Sequence, residues 1–143
     1  MAAGPWQVYD SFVPKLSTAL TDTFKLALFT STYTPASTDD SYTSLTGEVA
    51  NGNGYTTGGV ALTGVGLTDS AGTTTFVSDT ATITASGGSI VGRRAIIYNS
   101  TDAGKQLVAC CLLDGSDADV TVPDTYPLTV LFASGLLTVS GGW

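Results

Sequence analysis

SGGSIVGRRAIIYNST, residues Ser86 to Thr101, carries a run of β-branched and aromatic residues between turn-forming ends, and reads as a strand over Ser89–Asn99. Period-two geometry puts Ile90, Gly92, Arg94, Ile96 and Tyr98 on one face and Val91, Arg93, Ala95, Ile97 and Asn99 on the other. Two of the chain's five basic residues, Arg93 and Arg94, are neighbours in this strand. On an unbroken strand they point to opposite sides of the sheet. The inward one needs a carboxylate or several carbonyl oxygens, because an unpaired buried charge is costly. The outward one projects to solvent or anchors a partner, a role in which arginine is enriched.

Working outward, the same pattern recurs. Thr23–Ser31 (TFKLALFTS) alternates Phe24, Leu26 and Leu28 with Lys25, Ala27 and Phe29, and predicts a strand. Further short β-like runs are Val60–Thr68, Thr73–Ser78, Ala81–Ala85, Gln106–Leu113, Asp119–Val122, Leu128–Phe132 and Leu136–Ser140. Gly-containing turns separate them at the spacing of a sandwich or barrel. The predicted fold is all-β: an antiparallel, jelly-roll-like β-sandwich over residues 23–143. Residues 1–22 form a separate arm. Within it, Trp6, Tyr9, Val13, Leu16 and Leu20 recur at helical spacing, and Pro14 suits a first turn, so a short helix over Pro14–Leu20 is expected. The aromatics ahead of that helix are candidates for contact with another subunit. Between the first two strands lies a polar loop, Thr32–Gly59, containing TPASTDD and GNGYTTGG. A loop of that length in a compact domain points to a job or a partner.

The chain is 143 residues long with 12 acidic and 5 basic residues, a net charge of −7, which disfavours nucleic acid and anionic membrane surfaces as partners. Charged residues are only 12% of the chain, about half the usual share. Thr, Ser and Gly take their place, and such a surface costs little to desolvate against another protein. Cys110 and Cys111 are adjacent, so in a strand they face opposite ways and are poorly placed to bridge each other. They read as small core residues in a protein that folds in a reducing cytosol. No signal peptide or bilayer-spanning run is evident.

Chemistry is sparsely signalled. Histidine is absent, which removes the commonest general base and metal ligand. GNGYTTGG lacks the lysine of a phosphate loop. Asp114, Asp117 and Asp119 cluster in DGSDAD without the spacing of a calcium loop, and read as a solvated turn. No catalytic, cofactor-binding or metal-binding residue is assigned. Tyr33, Tyr42, Tyr55 and Tyr126 fall in loop-like segments, as interface anchors or as a stacking platform for sugars. Trp143, behind two glycines, is a free end or a hook for a neighbour.

Three stretches in order carry a resemblance: DTFKLALFTSTYTP (Asp22–Pro35), GEVANGNGYTTGGVALTGV (Gly47–Val65) and TITASGGSIVGRRAIIYNSTDAGKQLVACCLLD (Thr82–Asp114). Together they resemble small structural proteins of tailed bacteriophages, over nearly the whole chain after residue 20. Gly47 stands where that family commonly has Asn, and Arg94 where it has an aromatic residue; Arg93 keeps the family's arginine. The resemblance implies a virion component without catalysis, made in the host cytoplasm. It is expected to be a capsid cement or decoration protein on the outer shell, bound to the major capsid protein and to itself as a dimer or trimer. A tail or head-fibre module binding host glycans is the alternative. The expected partner-interface residues are Arg94, Tyr33, Tyr42, Tyr55, Trp6 and Trp143. Glu48, in the middle stretch, is the expected ion-pair partner of Arg93.

Overall fold

The computed structural model describes residues 4, 6–9, 21–70, 73–132 and 137–140. The helix expected over Pro14–Leu20 and the terminal Trp143 lie outside them. Among the described residues every strand pairing is antiparallel. The strands are β1 (Gln7–Val8), β2 (Phe24–Phe29), β3 (Val60–Ala61), β4 (Gly66–Ser70), β5 (Thr73–Val77), β6 (Ala81–Thr84), β7 (Ile90–Gly92), β8 (Arg94–Asn99), β9 (Leu107–Leu112), β10 (Val120–Val122), β11 (Pro127–Val130) and β12 (Leu137–Ser140). The run read as Val60–Thr68 divides into β3 and β4, and Ser89–Asn99 divides into β7 and β8.

The central sheet has the order β1-β9-β8-β2-β3. Its three long strands, FKLALF, RAIIYN and LVACCL, are nearly continuous in apolar character because both of their faces are covered. One face, built by Phe24, Leu26, Leu28, Ala95, Ile97, Ala109 and Cys111, packs against Phe76, Ile83, Ile90, Val120, Val122, Leu128 and Val130. Those residues come from three smaller ladders: β7 with β10, β6 with β11, and β4 with β5 and β12. The opposite face, with Ala27, Phe29, Ile96, Tyr98, Leu107 and Cys110, is covered by Tyr9, Tyr33, Tyr42 and Leu45. The two cysteines thus enter different cores, as their adjacency predicts, and both are free thiols. Burial pushes the Cys111 thiol up to about 12 and raises that of Cys110.

The long segment 32–59 is a lid lying against both cores: Tyr33, Tyr42 and Leu45 cover the second, and Val49 and Tyr55 enter the first. Two glycines let it lie against the strands. Gly59 has φ +72, and a Cβ there would run into the Leu26 carbonyl of β2. Gly54 has φ +86, and a Cβ there would strike the Thr84 carbonyl of β6. Both positions need left-handed backbone and close backbone approach, which only glycine supplies without strain.

The N-terminal stretch is integrated into the sheet. Gln7 stands opposite Cys110 and Val8 opposite Ala109. Trp6 stacks on Phe132, with ring centroids 5.3 Å apart. Tyr9 is buried, its hydroxyl 2.9 Å from that of Tyr33.

Candidate functional site

Two clusters of polar side chains stand at the central sheet and hold the lid in place. The first surrounds Glu48. An isolated bridge sets Glu48 beside Phe29, and the Val49 N–H donates to the Leu28 carbonyl at 2.9 Å. The Glu48 carboxylate accepts three hydrogen bonds, from the Tyr42 hydroxyl (2.5 Å), the Tyr55 hydroxyl (2.6 Å) and the Gly58 N–H (2.7 Å). Tyr55 in turn accepts from the Leu28 N–H of β2 at 3.0 Å. Tyr98 donates to the Gly58 carbonyl at 2.8 Å, and its ring stacks on Tyr42 at 4.1 Å and 10°. Every partner of this carboxylate is a lid residue, and Tyr55 and Tyr98 tie the lid to β2 and β8.

The second cluster answers the question of the adjacent arginines. At Arg93 the chain bends as it passes from β7, paired with β10, into β8, paired with β2 and β9. The Arg93 N–H donates to the Phe29 carbonyl and the Arg93 carbonyl accepts from the Leu113 N–H, both at 2.8 Å. The bend adds one residue to the alternation, so Ile90 of β7 joins the same core as Ala95 and Ile97 of β8. An inserted residue flips side-chain parity beyond it. Arg93 turns to Asp119 beside β10 and Arg94 to the Tyr33 carbonyl on the lid side, yet the two guanidiniums converge on one carboxylate. Both reach Asp117, through Arg93 Nη1 at 3.7 Å and Arg94 Nη2 at 3.2 Å.

The expected Arg93–Glu48 ion pair is likewise corrected. Arg93 Nε donates to Asp119 Oδ1 at 2.8 Å, while Glu48 is occupied by tyrosines and an amide. Residue type alone cannot choose among twelve carboxylates, and the bend at Arg93 swings its guanidinium towards the 114–119 turn. That turn is more than a solvated loop. Asp114 accepts from the Ser116 amide and hydroxyl, which hold its carboxyl below the ordinary value, and Asp117 and Asp119 serve the arginines. Arg94 also donates to the Tyr33 carbonyl at 2.7 Å, so it fastens the lid as well.

Of the residues expected at a partner surface, Tyr33 and Tyr55 are buried and Tyr42 is half-buried in its stack on Tyr98. These three are internal, because each ring covers the central sheet and each hydroxyl finds a carboxylate: Asp39 for Tyr33, Glu48 for the other two. Burial, then these carboxylates and neighbouring rings, raise the tyrosine pKa values, most strongly at Tyr9. Arg94 lines an open groove of about 280 Å³ with Gln7, Thr34, Cys110 and Asp117, but both ends of its guanidinium already have acceptors in the chain. Tyr126 is the exposed tyrosine, 62% accessible.

What the sequence reading missed is the outer side of the smaller ladders. Strands β6, β7, β10 and β11 alternate buried and exposed positions. The exposed ones are Thr82, Thr84, Val91, Thr121, Pro127 and Thr129, followed by Leu131 at 65% accessibility. None carries a charge. The signal was present in ATIT, IVG, VTV and PLTV, but only the burial pattern tells which member of each alternation faces out.

Among the described residues no group of three or more His, Cys, Asp or Glu is arranged to hold a metal ion, and no helix is long and apolar enough to cross a membrane. Comparison of the chain with protein-family models, curated proteins and solved structures finds no match.

Proposed function

We propose that this protein is a non-enzymatic structural component of a tailed-phage virion, a cement or decoration protein seated on the outer capsid shell. Its partners are the major capsid protein and further copies of itself, in a dimer or trimer. The observation that carries this reading is the uncharged outer side of the β6, β7, β10 and β11 ladders, with Val91 and Leu131 exposed on it. A protein that must cover another protein does best with a face whose burial strips few charges of water. Apolar area removed from water stabilises by about 25 cal/mol per Å², before the cost of association. Repetition over a shell multiplies a modest gain at each seam. The ordered resemblance across Asp22–Asp114 supports the same assignment.

The finer fold that accompanies this proposal is a jelly-roll-like β-sandwich, the central sheet being one layer and the smaller ladders the other. The glycan-binding alternative relied on loop tyrosines as a stacking platform. With Tyr33, Tyr42 and Tyr55 turned inward, only Tyr126 of that set is exposed, and the cement reading is the stronger.

The test is the copy number of this protein in purified virions, measured by quantitative mass spectrometry against the major capsid protein. A ratio near one-to-one, or a simple fraction of it, is expected. A few copies per particle would move the protein to the tail or a fibre.

A further inference from the structure

The two outer ladders end together. Thr84, the last residue of β6, stands opposite Pro127, the first of β11, and Val122, the last of β10, stands opposite Ile90, the first of β7. Residues 85–89 join β6 to β7 and residues 123–126 join β10 to β11, so both connections lie at this one end. The lid reaches the same place through its turn at residues 51–54. The Ser86 N–H donates to the Asn53 carbonyl and Asn53 Nδ2 to the Ser89 carbonyl, both at 3.0 Å. The Gly87 N–H donates to Asp124 Oδ1 at 2.8 Å, and the Thr125 N–H to the Ala85 carbonyl at 3.0 Å. Three turns are thus bound into one tip by their own hydrogen bonds.

The tip is fixed in its backbone and open in its side chains. Thr125 has φ +72, a left-handed conformation that a β-branched residue adopts only under strain. Strain of this kind persists where the surroundings enforce it, and it clusters at sites that bind. The neighbouring Tyr126 is held on both sides: its N–H donates to the Pro123 carbonyl at 3.1 Å and its carbonyl accepts from the Ala85 N–H at 2.9 Å. Yet its ring is 62% exposed, and among the described residues no other aromatic ring is exposed. A ring on a locked backbone loses little freedom on binding, and its burial carries a large apolar gain. The turns read NGNG, SGGS and PDTY. Tyr, Ser, Gly and Asn are the residues favoured by β-sandwich loops that bind proteins, where an aromatic anchor stands among small, adaptable polar groups. A lone ring offers a sugar no second stacking face, and the Asp124 carboxylate beside it disfavours phosphate. Thr84 and Pro127, the ladder positions next to the tip, are exposed and uncharged, so the tip runs directly into the neutral outer face.

We propose that this three-turn tip is the recognition end of the molecule, with the Tyr126 ring as the anchor that enters an apolar pocket of the major capsid protein. The ladder face closes around that anchor. Binding energy at protein contacts concentrates in a few buried aromatic side chains, ringed by near-neutral contacts that keep water out. The inference rests on the capsid partner proposed above and names the residues that meet it.

The test uses the full chain and shells of the parent phage assembled without it, with bound protein measured by sedimentation. Tyr126→Ala is expected to weaken binding by roughly thirtyfold or more, the effect of losing an anchor residue. Its thermal unfolding should match that of the unaltered chain, because the ring is largely exposed in the free protein. Thr129→Ala, on the ladder face, is expected to change binding by less than about threefold. Thr125→Gly separates recognition from folding. Glycine adopts this φ without strain, so unfolding should occur at no lower temperature. Binding should still weaken severalfold, because the turn then holds Tyr126 less firmly. An unaltered chain that binds shells while Tyr126→Ala binds them equally well overturns the tip and leaves the capsid partner standing. An unaltered chain that does not bind shells overturns both.

Discussion

Glu48 and Arg93 show how far a residue's role depends on neighbours distant in sequence. Glu48 receives three donors, two of them tyrosine hydroxyls that pack against the central sheet. Removing the carboxylate leaves those part-buried donors without their acceptor in the chain. Hydrogen bonds to a charged group contribute about 1.5–3 kcal/mol each, and the groups left behind are only partly rescued. Glu48→Ala is expected to lower unfolding stability by about 3 kcal/mol in urea titrations, and Glu48→Gln by less. Asp119→Asn, at an ion pair open to solvent, is expected to cost no more than about 1 kcal/mol. Equal losses at the two sites would contradict this assignment. The same tyrosines give a pH dependence. Tyr9, Tyr33, Tyr42, Tyr55 and Tyr98 hold their protons more tightly than free tyrosine, chiefly through burial. Above the ordinary tyrosine value, about pH 10, the unfolded chain releases protons that the folded chain keeps. The folded state then binds more protons, so its stability falls as pH rises, and these groups contribute no slope below that value. Absorbance at alkaline pH should show tyrosinate appearing in a cooperative step together with unfolding. Smooth titration of all six tyrosines in a folded chain would be the contrary result.

At the scale of elements, the strands were legible because burial on one or both faces imprints apolar residues at period two or in short runs. TFKLALFTS, ATIT and LVACCL each sit where the pattern predicts. The breaks inside Ser89–Asn99 and Val60–Thr68 were not legible. Arg93 is as compatible with a strand as with a bend, and the bend arises because its backbone is shared between Phe29 and Leu113. That the polar loop Thr32–Gly59 folds back on the sheet is not legible either, since its Thr, Ser and Gly content is that of surface segments and its few buried rings are widely spaced. Its attachment depends on Gly59, where a side chain would meet the backbone of β2. Gly59→Ala is expected to destabilise the protein by more than about 3 kcal/mol, because both the φ and the clash oppose it and backbone cannot step aside cheaply. Gly52→Ala, with open space around it, carries only the backbone strain and should cost clearly less. Thermal unfolding of the two variants side by side decides the point.

For the whole molecule, the division of labour is between part-buried polar clusters that fasten the lid and outer ladders whose exposed strand positions are uncharged, with exposed carboxylates such as Asp40, Asp79 and Asp124 lying in the connecting segments. The arginines, Glu48, Tyr33, Tyr42 and Tyr55 are engaged within the chain, and the exposed positions of the outer ladders are neutral. Attachment to a capsid shell through that face is expected to change less than about threefold between low and molar salt, since screening acts on charges and has little to act on here. Steep loss of binding with salt, followed by co-sedimentation with shells, would move the contact to the acidic parts of the surface. The all-β antiparallel character, the strand positions, the opposite facing of Cys110 and Cys111 and the need of each arginine for an acceptor were all written in the sequence by itself. They follow from local periodicity and from the cost of burying charge, which act residue by residue. Which carboxylate meets Arg93, which side of each outer strand faces water, that Tyr33 and Tyr55 are core, and that the N-terminal segment completes an edge were decided only by the tertiary structure. Those outcomes depend on which segments lie side by side after the chain has closed contacts across many tens of residues, and no local pattern encodes that choice.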